Sequence, residues 1–198
     1  MAVRIERLAA HHVRTDFDCG EDALNDFLRK QAGQLQRRGF GKTYVALAAD
    51  GITVTGFVSV SAGQVVTAQL PETLKLPRYP ALMLRVGRLA VDVRRQGAGI
   101  GQDLLAFALQ LALEFSQQVG VYAVLVEAKN SKAKAFYKKL GFLETVDDPL
   151  CLICINEIRL INQSVFFIFF TKRFNIYFIL KYNTIDAGRF EFINGLVI

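Results

Sequence analysis

Two stretches of this chain have residue types and spacing that could do chemistry. The first is the glycine-rich run Arg94-Arg95-Gln96-Gly97-Ala98-Gly99-Ile100-Gly101. Backbone N–H groups gathered at a helix start are unpaired donors at the positive end of the helix dipole, and they suit phosphate oxygens. Glycine lets the chain approach such a ligand closely, because no Cβ intervenes. The run is not a Walker A loop, since no Gly-Lys-Ser/Thr follows. It is not the dinucleotide fingerprint either, because Gln102 stands where GxGxxG needs its third glycine. A plain tight turn is the alternative reading. A strand before the loop, a helix after it and two arginines within it favour the phosphate loop. The second stretch centres on Tyr137. A phenol with a pKa near ~10 keeps its proton at neutral pH and can serve as a general acid. Tyr137 also shares a helix face with Ala133, Phe136 and Leu140, which suits a core tyrosine with a satisfied hydroxyl equally well.

No dedicated base stands out. Asp92 lies at the end of a strand, where a surface or bulge position would suit it, and Glu127 ends another, where a lysine could pair with it. His11 and His12 are expected on an exposed turn. Cys151 and Cys154 have CxxC spacing, but zinc would need two more ligands and the histidines are remote. On a strand the two thiols would point to opposite faces. No metal site is expected.

The elements that must position these residues follow from hydrophobic periodicity. Val3–Leu8 alternates as a strand. Glu21–Arg38 reads as a helix with Leu24, Phe27, Leu28 and Leu35 on one face, closed by Gly39 and Gly41. Thr43–Ala49 and Ile52–Val66 are strands joined by an Asp50-Gly51 turn. Residues 70–80, with Pro71, Pro77 and Pro80, form a loop with a short helix. Ala81–Val93 is a long strand. Ile100–Gln118 is a helix with Ile100, Leu104, Ala108, Leu111 and Phe115 facing the core. Val121–Ala128 is an apolar run, hence a strand buried on both faces. Asn130–Leu140 is a helix capped by Asn130 and ended by Gly141, and Leu150–Ile155 forms a last strand. The order β-α-β-β-β-α-β-α-β describes a mixed α/β domain.

With these elements in place, Arg94-x-x-Gly97-x-Gly99 resembles the pyrophosphate-binding signature of the GNAT acetyltransferase superfamily. The stretch from Asn130 through Ala133, Phe136, Tyr137 and Gly141 to Phe142 is similar to that superfamily's second signature. The resemblance implies a central, mostly antiparallel sheet with helices on both faces, and acetyl-CoA as cosubstrate. It implies cofactor contacts from Leu89, Ala90 and Val91 on the strand, from Arg94, Arg95, Gln96, Gly97, Gly99, Ile100 and Gly101 in the loop, and from Asn130. It also implies Tyr137 as the general acid.

The run from Phe17 through Cys19, Gly20, Leu24 and Phe27 to Leu28, followed by Gly41–Val45, is similar to the N-terminal half of the GNAT toxins of bacterial toxin–antitoxin modules. That narrower resemblance covers about residues 3–150. It implies acetylation of the α-amino group of aminoacyl-tRNA, a ribbon-helix-helix antitoxin as partner, and a homodimer as an option. Candidate RNA-facing residues are Lys30, Arg37 and Arg38 on the first helix and Arg78, Arg85 and Arg88 beside the strand of interest. Lys129, Lys132, Lys134, Lys138 and Lys139 cluster around the last helix, where solvated helix faces or CoA phosphates are equally open uses. A small-amine or protein N-acetyltransferase, or a non-catalytic acyl-CoA-binding module, are the competing readings.

Composition agrees and sets limits. The chain has 198 residues, net charge +6, 52% hydrophobic and 21% charged residues. That excludes a mainly disordered protein and suits polyanionic partners. Three cysteines exclude a disulfide scaffold. No signal peptide or membrane span is expected, and the cytoplasm is the expected location. Near residue 150 the composition breaks. Phe, Ile, Asn, Lys and Tyr supply 25 of residues 1–150 but 27 of residues 151–198, while alanine falls from 20 to one. These five types share AT-rich codons, which points to a tail added or altered by a frameshift or an insertion. An ordinary sheet-forming C-terminus is the alternative. The uncharged run Val165–Phe170 is an aggregation hazard unless covered. The expected division is an acetyltransferase domain over 1–155 and an atypical tail over 156–198. Deleting residues 159–198 is therefore expected to leave a soluble chain that still binds acetyl-CoA, checked by calorimetry. Failure of the shortened chain to fold would show that the tail supplies core.

Overall fold

The computed structural model describes residues 3–66, 68, 70 and 79–155, together with the backbone of two short strands at 166–168 and 179–181. Seven strands form one sheet: β1 (Arg4–Arg7), β2 (Lys42–Leu47), β3 (Val54–Val65), β4 (Ala81–Val91), β5 (Ala123–Glu127), β6 (Leu143–Glu144) and β7 (Cys151–Ile155). Their spatial order is β1-β2-β3-β4-β5-β7-β6. Every neighbouring pair is antiparallel except β4–β5. A parallel pair needs a crossover, and α3 (Ile100–Val119) supplies it. Beyond this sheet, β8 (Phe166–Ile168) pairs with β9 (Ile179–Lys181) alone. The rest of the tail and most of the proline loop, Arg78 included, lie outside the described residues. No helix among the described residues is long and apolar enough to cross a membrane.

The two faces of the sheet are covered by different helices. On one face α3 and α4 (Ser131–Lys139) pack over Val58, Val60, Leu84, Val86, Val124 and Val126. On the other, the first helical segment packs over Val45, Leu47, Phe57 and Ala90. That segment is α1 (Asp22–Asp26), a π turn over Phe27–Gln31, and α2 (Ala32–Arg37). The sequence read it as one regular helix. The π turn shifts its phase, and the buried Phe27 ring then stacks on Phe57 with centroids 5.8 Å apart.

The core face of α3 also departs from expectation. Ile100, Leu104, Leu105, Ala108, Ala112 and Leu113 are buried, whereas Leu111 is half-buried and Phe115 exposed. Close packing accounts for the difference. A Cβ on Gly56 of β3 would come within 3.0 Å of both Ile100 Cγ2 and Leu104 Cδ1. A helix pressed this close presents small residues further along its contact line, and Ala108 and Ala112 are fully buried.

The feature that matters for function is the parting of β4 and β5. Their parallel pairing runs only from Met83↔Ala123 to Val86↔Val126. On β4's other side the register with β3 slips at Ser59/Val60, so that Arg88 faces Ser59, Val86 faces Val60 and Gly87 is the bulged residue. A bulge bends its strand and turns the following side chains over by one position. Leu84 and Val86 point to the α3 face before it, and Leu89 and Val91 pack there after it. Past the bulge, among the described residues, β4 pairs with β3 alone.

Candidate active site

The open edge of β4 can be assigned residue by residue. Asp92 N–H donates to Thr55 C=O at 2.9 Å, which makes that antiparallel pair a hydrogen-bonded one. Such pairs alternate along the ladder. Ala90 and Arg88 therefore bond across to β3, while the peptide groups of Leu89 and Val91 point into the opening. Of the three strand residues proposed from the sequence, Leu89 and Val91 present backbone to the gap and Ala90 does not. The Val91 carbonyl accepts from Gln96 Nε2 at 3.1 Å.

At the end of β4 stands a helix start without capping side chains. Gly99 is the N-cap of α3, with φ of 86°, and Gly97 has φ of 82°. Both lie in the left-handed region that glycine enters without cost. Apart from its own chain neighbours, no described atom lies within 4 Å of where a Cβ would sit on either one. Among the described residues the N–H groups of Gln96, Gly97, Gly99, Ile100 and Gly101 donate to nothing. Gly101 faces Leu89, Val91 and Phe136, each 3.6–3.8 Å from a would-be Cβ. The loop, the open edge of β4 and α4 thus converge. Orphaned amides and space for close approach fit a pyrophosphate, and the neighbouring β4 edge fits an amide-bearing arm.

Arg94 is placed otherwise. Its Nε donates to Asp92 Oδ1 at 2.8 Å and its Nη2 to Asp92 Oδ2 at 2.7 Å, while its own N–H also donates to Asp92. Nη2 further reaches the Asp16 carbonyl at 2.8 Å. Asp92, expected from the sequence at a surface or bulge position, is buried and takes a fourth donor from Asp18 N–H. Arg94's hydrogen bonds hold the Asp92 carboxyl down at about 2 against the desolvation that opposes them. Val93 N–H donates to Asp18 C=O at 2.7 Å, and Gln96 reaches Cys19 C=O. The guanidinium thus ties the chain before α1 to the glycine loop. Arg95 and Gln96 are exposed in the loop.

Tyr137 is buried on α4, its ring against Phe136 and Phe142 with centroids 5.3 and 5.5 Å away. Burial pushes its pKa up to about 12, so the phenol is protonated at any physiological pH. No hydrogen bond from a described residue holds its hydroxyl. Asn130 caps α4 by accepting from Ala133 N–H at 2.9 Å, which commits its side-chain oxygen to the fold.

The basic residues divide into groups. Lys30 pairs with Asp26, and Arg38 stacks over Phe40 at 5.0 Å. Arg37 lies over Gly33 beside Arg14, a neighbour the sequence did not suggest. Arg85 pairs with Glu127, and Arg88 lies 4.1 Å over the Phe27 ring. Lys134 and Lys138 both bind Glu144, and Lys129 binds Glu21.

His12 corrects the expectation of an exposed turn. It is buried, accepts Ala9 N–H at Nδ1 (3.0 Å) and donates from Nε2 to Glu6 at 2.8 Å. Its Nδ1 lone pair is used by a backbone donor, so the proton sits on Nε2. The cluster Glu6–His11–His12 therefore does not offer that nitrogen to a metal. Cys151 and Cys154 pack in clusters on opposite faces of the sheet, and burial pushes both thiols up, Cys154 to about 12.

A mixed sheet that opens between two parallel strands beside a glycine-lined helix start defines an acyltransferase-type architecture. Residues 39–144 match the acetyltransferase (GNAT) domain, and the chain belongs to the GNAT acetyltransferase family. It is 34% identical over 143 residues to the tRNA-acetylating toxin of Mycobacterium tuberculosis, covering 71% of this chain and 84% of that one. Among solved structures it resembles AtaT complexed with acetyl-methionyl-tRNAfMet, with TM-score 0.73 and 32% identity over 78% of this chain and 95% of that one. It also resembles a Tyr-to-Phe mutant of the AtaT toxin bound to the C-terminus of the antitoxin AtaR and acetyl-CoA, with TM-score 0.68 and 29% identity over 77% and 92%.

The Asp92–Arg94 clamp gives a pH signature. A carboxyl whose folded pKa lies below its unfolded value near ~3.9 stabilises the fold fully above that value and loses the effect as pH falls towards the folded pKa. Asp92→Asn is expected to lower stability at pH 7 by about 2 kcal/mol. The gap to wild type should close between about pH 4 and pH 2, as measured by urea unfolding across that range.

Proposed function

We propose that this protein transfers the acetyl group of acetyl-CoA to the α-amino group of an aminoacyl-tRNA and thereby blocks translation. The observation that carries the reading is the likeness to AtaT in complex with acetyl-methionyl-tRNA, which extends over 78% of the chain and 95% of AtaT. The tRNA-acetylating relative agrees with it. Acetyl-CoA supplies a thioester, whose carbonyl carbon accepts an amine while its sulfur departs as thiolate. The orphaned N–H groups from Gln96 to Gly101 would hold its pyrophosphate, and the open backbone of Leu89 and Val91 its pantetheine arm. Tyr137 gives its phenolic proton to the sulfur as the carbon–sulfur bond breaks. The amine's surplus proton passes to water, and the phenol recovers its own from solvent. At about 12 the phenol is in its protonated, donor form when the carbon–sulfur bond breaks.

The RNA body would lie across the end of α2. Gly41 follows that helix, and a Cβ there would come within 2.8 Å of Val60 C=O and 3.6 Å of Ser61 Cβ. The turn after α2 is thus held against β3, whose Ser61 pairs with Arg85; in this reading Arg37 and Arg38 at the end of α2 and Arg85 and Arg88 on β4 would meet the same RNA. A small antitoxin of the ribbon-helix-helix type would be the cognate partner, in keeping with AtaT's antitoxin AtaR. Homodimer formation belongs to the same reading.

Mass spectrometry of aminoacyl-tRNA incubated with protein and acetyl-CoA tests the reading directly: a gain of one acetyl group is expected, and unmodified tRNA beside acetylated free amines would replace it. Tyr137→Phe keeps the ring stacking and loses no hydrogen bond within the described fold. It should leave acetyl-CoA affinity and melting temperature in place while kcat falls ~10²–10⁴-fold. Reversing Arg37 and Arg38 to Glu should raise KM for aminoacyl-tRNA about tenfold and flatten its salt dependence, with KM for acetyl-CoA unchanged.

A further inference from the structure

Two charged side chains meet at the parting of β4 and β5. Glu127 is the last residue of β5, one position past the final parallel pair Val86↔Val126. Its side chain lies on the same face as Ala123 and Leu125, the face opposite α3 and α4. Arg85 of β4 shares that face. Its Nη2 lies 2.8 Å from Glu127 Oε1 and 2.9 Å from Oε2. One nitrogen thus holds both carboxylate oxygens and fixes their direction. Each oxygen can accept about two hydrogen bonds, and Glu127's side chain is 54% exposed, so acceptor capacity is left over.

The face itself is prepared for a ligand. Ser59, Ser61 and Gly63 of β3 alternate onto it beside the two arginines, and Gly63 leaves Arg85 room, with 3.4 Å between its would-be Cβ and Arg85 Cβ. Tyr137, by contrast, packs with Val126 and Ala128 on the α3 face. A proton donor to the leaving sulfur thus stands on one side of the gap, and an oriented carboxylate stands on the other. An amine attacks a thioester carbonyl from above or below its plane, and an acceptor arriving over the sheet face that carries Arg85 and Arg88 reaches the gap beside Glu127.

We propose that Glu127 is the residue that grips the acceptor's amino group, accepting its N–H hydrogens, while Arg85 positions the carboxylate. This rests on the proposed acetylation of an α-amine. It makes Glu127 a substrate-binding residue and Arg85 a positioning residue.

The test uses the full chain with two acceptors, aminoacyl-tRNA and glycinamide, a free α-amine without RNA. Glu127→Gln keeps size and loses charge. It is expected to raise KM for both acceptors about tenfold or more, with acetyl-CoA affinity by calorimetry within twofold of wild type. Arg85→Gln is expected to raise both acceptor KM values by a smaller factor, and Glu127→Asp to recover part of the loss. A replaceable structural carboxylate would instead leave both acceptor KM values untouched and lower only the melting temperature, and that result overturns the proposal. Acetylated tRNA with an unchanged KM in Glu127→Gln would remove Glu127's role and leave the tRNA reading standing. Acetylated glycinamide without acetylated tRNA, its KM still raised in Glu127→Gln, would do the reverse. A fall in acetyl-CoA affinity that matches the KM change would also overturn it.

Discussion

The molecule depends on one backbone constraint: β4 cannot pair with β3 and β5 along its whole length. Gly87 inserts an extra residue opposite Ser59 and Val60, and the strand bends away from β5 after Val86. The peptide groups that lose their partner cannot be buried without cost, so this part of the sheet must stay reachable by something that bonds to them. The bulge also reverses which side chains face which helix. Arg88 comes to lie against Phe27 on the α1 face, and Leu89 and Val91 complete the α3 face.

Holding that opening in shape falls to a small polar cluster. Asp92 is buried just where β4 ends, and a buried carboxylate is stable only with partners. Arg94, its own backbone N–H and Asp18 supply them. The chain before α1 is fastened to the loop by the same contacts, so the helix pair on one face and the glycine loop at the start of α3 share an anchor. The loop's amides are left over for a ligand because they open a helix whose N-cap, Gly99, has no side chain to accept from them.

Much of this is legible in the sequence, for reasons that differ by element. The Asp50-Gly51 turn, the capping Asn130 and the glycines that end helices act locally, and local rules read them. The buried run of β5 is visible because both its faces are covered. Other features depend on what lies across space. Nothing in the period of residues 21–38 marks a π turn, because Phe27 takes its place from Phe57. The burial of His12 follows from Glu6 and the Ala9 amide. The loop's arginine looks like a phosphate ligand until Asp92 is seen beside it. β6, with two residues, is too short for any pattern.

The rim of the sheet has a consequence of its own. A strand at an edge invites another strand to join it. Here one edge is β1, four residues carrying Arg4, Glu6 and Arg7, and the other is β6, just two residues long. Charge blunts the first and brevity the second, so an incoming chain finds little purchase at either margin. The backbone opened between β4 and β5 lies inside the sheet instead, with a strand on each side, where a slender arm can bond along it.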